Sequence, residues 1–394
     1  MRQKSQLCIN EFNPDDVLEA VKTVIGPMPA SLHEPIFKGN EWHYVKDCID
    51  QGFVSSVGSY VKQFESEIAK YTGAKYAIAT VNGTAALHLA LILAGVKPGD
   101  EVLAPSLTFV ATGNAISYIG ATPHFVDSCE VNFGIDVGVL RLYLEQNTVI
   151  KNGHCFNKKT GCVIRAIVPM HVFGHPCNIA EIIKLAEEFK LVVVEDAAES
   201  LGSFYMGKHT GTFGLLGIFS FNGNKTITTG GGGVIVTDDD HIAERAKYLS
   251  ETAKQPHNFS YIHNEIGFNY RMPNLNAALG CAQLECLPSF LKSKRALFHS
   301  YQKAFSGMDF VTIVREPPSC WSNYWLQTML LNEKVASYQE NIIKNFLNAG
   351  ILVRPVWRPL HLLPSFASVP SAPLPVTTKL AQRLINIPSS AGLI

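Results

Sequence analysis

Short runs of β-branched and other apolar residues alternate with helical patterns along the first two thirds of the chain, and this alternation restricts the fold more than any other feature. Tyr76–Thr80 precedes a predicted helix at Thr84–Ala94, and Val163–Val168 precedes one at Asn178–Phe189. Continuous apolar strands separated by helices indicate a mostly parallel sheet covered by helices on both faces. Such α/β sheets bind ligands at the carboxyl ends of their strands, so the residues after each run are candidate site residues.

Composition argues against several classes of protein. The chain has 394 residues, enough for two packed domains of about 100–200 residues each. Its 33 Lys and Arg balance its 33 Asp and Glu, so net charge gives no reason to expect nucleic-acid or membrane binding. We expect no membrane-spanning helix, no signal peptide and no metal site, because the apolar runs are short and the nine cysteines lack zinc-ligand spacing. Scattered, reduced cysteines favour a cytoplasmic protein.

The pattern changes after Met272, which predicts a second, smaller α/β domain. We place an N-terminal extension at residues 1–40, a large domain at 41–272 and a small C-terminal domain at 273–394. Helical spacing within the extension predicts one helix at Pro14–Val24.

Three further expectations concern local structure. Asn147–Gly161 is polar and rich in Lys and Asn, which predicts a surface loop. Two helices are expected at Asn274–Leu287 and Ser289–Phe305, and a strand followed by a helix is expected at Trp325–Leu331 and Ser337–Asn348.

A lysine stands between a predicted strand end and four consecutive glycines, in the stretch from Ser220 through Lys225 to Gly230–Gly233. Upstream of it, an apolar strand ends in Glu195 and Asp196. A lysine in a glycine-lined pocket can form a Schiff base with an aldehyde cofactor, and a carboxylate at a strand end can keep a pyridine nitrogen protonated. Together they predict pyridoxal 5'-phosphate (PLP) chemistry. Either acid could be the buried one, because alternation along the strand directs the two side chains to opposite faces.

Other candidate residues also follow strand ends. Asn82–Thr84 opens a helix, where a glycine and a hydroxyl can form an anion cradle; an ordinary turn with a threonine N-cap is the alternative. Phe109 can stack on a planar ring or pack in the core. Glu199 can reach a ring oxygen of the cofactor or lie in solvent, and Ser220 and Asn222 can donate to a phosphate or position the lysine.

Some histidine and tryptophan residues have less specific settings. His171 and His175 follow a strand end and can border the site, but they have no third ligand at metal spacing, so a structural or substrate-side role is expected. Four further aromatic residues can either pack in the core or line the substrate cleft, and the sequence does not decide between these places: Trp321, Trp325, Trp357 and His361.

In combination, these motifs resemble the DegT-type nucleotide-sugar aminotransferases, which have the aspartate-aminotransferase fold, type I of the PLP enzymes. The resemblance runs from about Pro35 to the C-terminus and depends on six segments: Ser55–Glu65, Asn82–Leu87, Pro105–Thr112, Glu195–Ser200, Ser220–Lys225 and Gly267–Met272. It implies a mostly parallel seven-stranded sheet flanked by helices in the large domain, plus a smaller C-terminal α/β domain.

The resemblance also implies roles for individual residues and a homodimer. Lys225 would bind the cofactor and shuttle a proton, while Asp196 would pair with the pyridine nitrogen. Asn269 would reach the phosphate of the neighbouring subunit, so the site would span the dimer interface. The full set implied to bind the cofactor is Gly83, Thr84, Phe109, Asp196, Glu199, Ser220, Asn222, Lys225 and Asn269.

The chain departs from many members of the family at two places. It has Glu199 where they have His or Gln, and it has Gly230–Gly233 where they have Gly-Glu-Gly-Gly. The first departure bears on the contact of this side chain with the cofactor, and neither affects the lysine.

Three other segments resemble a narrower group, the aminotransferases of bacterial nonulosonic-acid (legionaminic-type) and N-acetylbacillosamine pathways: Asn40–Ile49, Val353–Arg358 and Leu362–Phe366. This resemblance implies transfer of an amino group from L-glutamate to C4 of a UDP-linked 4-keto-6-deoxy-N-acetylhexosamine. Arg354 and Arg358 suit the pyrophosphate or the glutamate carboxylate, and solvated side chains are the alternative.

Several alternatives are weighed against this interpretation. Another nucleotide-linked keto-sugar, either 3-keto or GDP- or dTDP-linked, is the nearest. PLP-dependent sugar dehydratases of the same fold have His where this chain has Lys225, and a non-catalytic scaffold needs neither the lysine nor Asp196. A nicotinamide dehydrogenase would need a Gly-x-Gly-x-x-Gly after the first strand, which the chain lacks.

Overall fold

The computed structural model describes residues 12–27 and 29–394, so most of the predicted N-terminal extension is included, and residues 1–11 and 28 lie outside the description. The α-helices are α1 (Pro14–Ile25), α2 (Glu41–Gln51), α3 (Ser59–Thr72), α4 (Gly83–Leu93), α5 (Val110–Tyr118), α6 (Val137–Asn147), α7 (Ile179–Phe189), α8 (Asp240–Ser250), α9 (Asn274–Ala304), α10 (Gln339–Asn348) and α11 (Pro375–Ala381). Among these described residues, no helix has both the length and the apolar character needed to cross a membrane.

The β-strands form one large sheet and several small ones. In chain order they are β1 (Tyr76–Thr80), β2 (Glu101–Pro105), β3 (Thr122–Val126), β4 (Thr148–Lys151), β5 (His154–Asn157), β6 (Val163–Ile167), β7 (Val192–Asp196), β8 (Phe204–Tyr205), β9 (Lys208–His209), β10 (Leu216–Ser220), β11 (Gly233–Thr237), β12 (Lys254–Gln255), β13 (Ile262–His263), β14 (Val311–Ile313), β15 (Cys320–Trp321), β16 (Gln327–Leu331), β17 (Arg354–Pro355) and β18 (Leu384–Ile387).

The large sheet has the strand order β1-β11-β10-β7-β6-β2-β3, and β11 alone on this path runs antiparallel to its neighbours. Its strands are buried on both faces, as their continuous β-branched sequences predict. The predicted mostly parallel sheet is therefore confirmed. Its main path has the seven strands that the resemblance implies, and the hairpin β4–β5, which pairs with β6, brings the sheet to nine strands.

Helices cover both faces of this sheet. On one face, Leu87 and Leu91 of α4 pack with Ile116 of α5 and Leu249 of α8 against strands β7, β10 and β11. On the other face, α3 and α9 pack on β1, β10 and β11, and α6 and α7 pack on β2, β6 and β7. Because helices occupy both faces, ligands can approach the sheet only at its ends.

A four-stranded antiparallel sheet, β14-β16-β18-β17, forms the core of the C-terminal part. Val17 and Val21 of α1 pack into this core beside Phe298 of α9 and Ile342 of α10. The helix of the N-terminal extension thus packs on the C-terminal unit. The division of the chain at residues 40 and 272 stays a prediction.

Two local predictions were wrong. The segment predicted as a loop at Asn147–Gly161 contains the hairpin β4–β5, whose turn at Asn152-Gly153 has positive φ at both residues. Asn-Gly is a strong hairpin signal, and the polar composition of the segment obscured it. The hairpin is held in place because Cys155 is buried and Nδ2 of Asn157 donates to Glu101 Oε2 at 2.9 Å.

The two helices predicted around residue 288 are one continuous helix, α9, with Pro288 inside it. Proline removes one backbone hydrogen bond and usually breaks a helix. Here Leu287 and Phe290 on either side are buried in the large-domain core, and Leu297 is buried in the C-terminal core. Packing at both ends keeps the helix continuous despite the proline.

Candidate active site

A cavity of about 290 Å³ opens at the carboxyl ends of β1, β2, β7 and β10. Eight of the nine predicted cofactor-binding residues line it: Gly83, Thr84, Phe109, Asp196, Glu199, Ser220, Asn222 and Lys225. The topology brings them together because these four strands run in the same direction and end at the same edge of the sheet.

The N-terminus of α4 forms one wall of the cavity. Asn82 caps the helix, and its Oδ1 accepts a hydrogen bond from the amide of Ala85 at 2.8 Å. Gly83 packs against Ser220 so closely that a Cβ at residue 83 would lie 2.8 Å from the Ser220 Cβ. First-turn N–H groups beside the hydroxyls of Thr84 and Ser220 suit a phosphate, because a helix N-terminus carries partial positive charge.

Asp196 ends β7 inside the cavity and is buried. Its Oδ2 accepts a hydrogen bond from Thr112 Oγ1 at 2.9 Å, and its Oδ1 accepts one from the amide of Ala198 at 3.2 Å. Burial raises the pKa of this carboxyl above its usual range, and the two donors only partly offset that effect. Both donors are neutral, so a pyridinium N–H is the kind of partner that would stabilise the ionised carboxylate.

The structure separates the two acids that the sequence left equivalent. Glu195 points to the opposite face of the sheet, where its carboxylate lies 3.0 Å from His171 Nε2. Backbone amides of Gly211, Phe213 and Gly214 also donate to it at 2.6–2.8 Å. Glu195 is a structural anchor with satisfied hydrogen bonds, which leaves Asp196 as the acid in the cavity.

The amine of Lys225 lies between an acid and an aromatic ring. Its Nζ is 3.4 Å from Glu199 Oε1 and 4.0 Å from the centre of the Trp325 ring. The other oxygen of Glu199 accepts a hydrogen bond from the amide of Phe173 at 2.9 Å. Phe173 has a positive φ of 56°, which is uncommon for a residue with a side chain. Burial raises the pKa of Glu199 to about 7, and the nearby lysine only partly opposes this.

This set of side chains fits PLP. The helix N-terminus suits the phosphate, Asp196 suits the pyridine nitrogen, and the Lys225 amine suits the aldehyde. Phe109 lines the cavity and is half-exposed, so its ring is available for stacking. Thr84 lies at the second residue of α4, with Asn82 as the N-cap, so the alternative of a threonine cap is wrong.

Asn269 is the one predicted residue that the fold does not bring to this cavity. It is exposed and forms an isolated bridge with Glu251. Its predicted contact is with the phosphate of a neighbouring subunit, and this stays a prediction.

Sequence reasoning missed two cavity features and left others undecided. It did not single out Thr112, although its place three residues after Phe109 on the first turn of α5 was a usable signal. Thr112 is buried and holds Asp196, whereas Met170 is itself part of the cavity lining. Of the aromatic residues left open, Trp325 and Trp357 line the cavity.

The remaining undecided residues are not part of the cavity lining. Trp321 packs its ring on the Arg295 guanidinium, 3.5 Å from the ring centre, and His361 Nδ1 is 2.7 Å from Ser106 Oγ. His171 binds Glu195, and His175 is buried against Tyr324. Both histidines therefore have structural surroundings and lie outside the cavity lining.

Comparison with known proteins agrees with this site. Residues 35–394 match the DegT/DnrJ/EryC1/StrS aminotransferase family. GDP-perosamine synthase of Caulobacter vibrioides is 37% identical over 366 residues, covering 92% of this chain and 94% of that protein.

Solved structures agree with the fold. A DegT DnrJ EryC1 StrS aminotransferase from Brucella abortus superposes with a TM-score of 0.81 at 26% identity, over 90% of this chain and 91% of that one. Helicobacter pylori PseC, an aminotransferase involved in the biosynthesis of pseudoaminic acid, superposes with a TM-score of 0.84 at 24% identity, over 93% and 95%. The predicted PLP fold type I is confirmed. The chain belongs to the DegT/DnrJ/EryC1/StrS aminotransferase family and is a PLP-dependent nucleotide-sugar aminotransferase.

Proposed function

We propose that this enzyme transfers the amino group of L-glutamate to the C4 keto group of a UDP-linked 4-keto-6-deoxy-N-acetylhexosamine, in the biosynthesis of a bacterial surface glycan of nonulosonic-acid or bacillosamine type. The observation that carries the reaction type is the Lys225 amine, 3.4 Å from Glu199 Oε1, in the same cavity as Asp196 and the N-terminus of α4. A lysine and a carboxylate placed in this way serve proton transfer at carbon next to a bound PLP.

Each polar group of the cavity has a task in this reaction. When bound, PLP supplies the electron sink that makes a proton on the carbon next to the donor nitrogen removable. We propose that Lys225 takes that proton from the α-carbon of glutamate and delivers it to C4′ of the cofactor, and that it works in the reverse direction with the keto-sugar. Asp196 holds the pyridine nitrogen protonated, and its own position is held by Thr112 and the Ala198 amide.

The proposed substrate comes from the segments that resemble the narrower group. One of them, Val353–Arg358, reaches the cavity, because Trp357 is part of its lining and packs beside Phe173. Arg354 and Arg358 on either side of this tryptophan are exposed. Exposed guanidinium groups in a segment that reaches the cavity suit a diphosphate or a donor carboxylate, which supports an anionic nucleotide-sugar with glutamate as its partner.

We further propose a homodimer with the site at the interface. Large apolar side chains are exposed on and after α2, including Trp42, Phe53 and Val57, and near β13, including Phe259 and Ile266. Such clustered exposure is typical of an interface. Asn269 follows the second of these segments, which supports its proposed contact with the partner's phosphate.

A GDP-linked keto-sugar is the second candidate substrate. The relative that shares 37% identity over 92% of this chain is named GDP-perosamine synthase, which supports a GDP-linked sugar as the alternative. The two candidates share the amination step and differ in the nucleotide and in the substituents of the sugar.

A mass-spectrometric assay tests the proposal. Purified enzyme with PLP and L-glutamate is incubated with UDP-, GDP- and dTDP-linked 4-keto-6-deoxy sugars and with 3-keto sugars. We expect the UDP-N-acetyl sugar to be converted to the product in which the keto group is replaced by an amine, and the mass spectrum to show the mass of that product. Amination of the GDP-sugar alone would replace the first candidate by the second. If glutamate converts the bound cofactor to its amine form but no sugar is aminated, both candidate substrates are rejected. The assignment as an aminotransferase then still holds.

A further inference from the structure

A fully buried lysine behind the active site has no task in the reaction described above. Lys294 lies on α9 and is 0% exposed. Its Nζ donates to the carbonyl oxygens of Ser389 at 2.6 Å and Trp325 at 3.1 Å, and it lies 2.7 Å from Nε2 of His33. Lysine is rarely buried without partners, and three contacts use all three protons of an ammonium group.

The three partners of Lys294 belong to segments that are far apart in the chain. His33 lies in the N-terminal extension, Trp325 precedes β16 of the C-terminal sheet, and Ser389 follows the last strand. Burial lowers the pKa of Lys294 to about 7 and lowers the pKa of His33 well below its usual range. One side chain therefore joins three segments that are distant in the chain, at a cost in desolvation.

Trp325 connects this cluster to the catalytic lysine. Its indole Nε1 donates to the carbonyl of Asn224 at 2.7 Å, and its ring centre is 4.0 Å from Lys225 Nζ. Its backbone amide donates to Asn323 Oδ1 at 2.8 Å. The Asn224 carbonyl, next to Lys225, therefore holds the indole ring of Trp325. Asn323 and Lys294 hold its backbone. A cation over an aromatic face is attracted by the ring quadrupole.

We propose that Trp325 is a positioning residue for the Lys225 amine, and that Lys294 with His33 holds Trp325 in place from behind. Glu199 fixes the amine from one side through its carboxylate, and Trp325 supports it through the ring face. The amine is then restricted in two directions while it exchanges protons. The N-terminal extension gains a function in this arrangement, because His33 completes the contacts of Lys294.

The test compares holoenzymes by two measurements. The first is the pH midpoint at which the visible absorbance of bound PLP changes. The second is the single turnover in which L-glutamate converts bound PLP to its amine form and leaves as 2-oxoglutarate; its limiting rate is taken as kcat and its half-saturating glutamate concentration as KM. We expect Trp325→Leu to move the midpoint down by about 0.4–1.5 pH units and to lower kcat about 2- to 30-fold, with KM little changed. Trp325→Phe keeps a ring and should restore most of both. Trp321→Phe, at a tryptophan outside the cavity, should match the wild type.

Lys294→Met should change the midpoint and kcat in the same direction as Trp325→Leu, while Lys292→Met, on the exposed side of the same helix, should change neither. If Lys294→Met does not fold, His33→Leu removes one of its partners and serves in its place. Wild-type values for Trp325→Leu, or equal losses for Trp325→Phe and Trp325→Leu, would overturn the role of the ring. A lower unfolding temperature for Lys294→Met with an unchanged midpoint would overturn the anchoring role of Lys294.

Discussion

Glu199→Gln should stabilise the cofactor-free enzyme above neutral pH. Glu199 is 3% exposed, and its carboxyl has two contacts, the Phe173 amide at 2.9 Å and Lys225 Nζ at 3.4 Å. Burial raises the pKa of this carboxyl from 4.5 to about 7, which means that the folded protein holds the ionised form at a cost. Glutamine has nearly the same shape and cannot ionise, so the substitution removes that cost.

The size and sign of the effect follow from the difference in pKa of Glu199 between the folded and unfolded states. Below pH 4.5 the carboxyl is protonated in both states and costs nothing. Between pH 4.5 and 7 the unfolded chain ionises first, so stability falls as pH rises. Above pH 7 the full cost is present, about 3 kcal/mol at 1.36 kcal/mol per pKa unit. Glutamine has one acceptor oxygen and keeps one of the two contacts, so about 3 kcal/mol is an upper bound.

Urea unfolding of the cofactor-free wild type and variant between pH 5 and 8 measures this effect. The variant should gain stability relative to the wild type as pH rises. Glu195→Gln is the matched control, because Glu195 is also fully buried but its pKa is lowered by His171 and by backbone amides. That variant should lose stability at pH 8. The reasoning would be refuted if Glu199→Gln were less stable than the wild type at pH 8. It would also be refuted if the difference in unfolding free energy between the two proteins were the same at all pH values.

Three further substitutions test the cavity itself. Lys225→Ala should lower turnover at least about 10³-fold in the product assay, because it removes both the amine that binds PLP and the proton carrier; near-normal turnover would contradict this. Asp196→Asn keeps the size of the side chain but loses its charge, so kcat should fall while the circular dichroism spectrum is unchanged; a wild-type kcat would count against its pairing with the pyridine nitrogen. Gly83→Ala places a Cβ 2.8 Å from the Ser220 Cβ and should weaken PLP binding in equilibrium dialysis, whereas Gly223→Ala, which meets nothing within 4 Å, should not; equal affinities would contradict the phosphate cradle.

Local patterns in the sequence predicted most elements of the large sheet, although β3 and the hairpin β4–β5 were not among them. Strand β7 begins with three consecutive valines, and helix α7 has apolar residues at helical spacing. Both signals depend only on neighbours in the chain. The candidate site followed from the same patterns, because parallel strands end at one edge and bring Asp196, Ser220 and Lys225 into one cavity. These predictions needed no knowledge of contacts between distant residues.

Contacts between distant residues decided the rest. Glu195 and Asp196 are adjacent acids, and only the position of His171 and of the Gly211–Gly214 backbone shows that Glu195 is the anchored one. The ring of Trp325 reaches Lys225 from one hundred residues away, and its anchor on Lys294 requires three segments to meet. The sequence by itself determined most of the strands and helices and the chemical groups that follow them, since those depend on local periodicity. The tertiary structure alone decided which buried charge is paired and which ring supports the lysine, because burial and pairing depend on where the folded chain places distant residues.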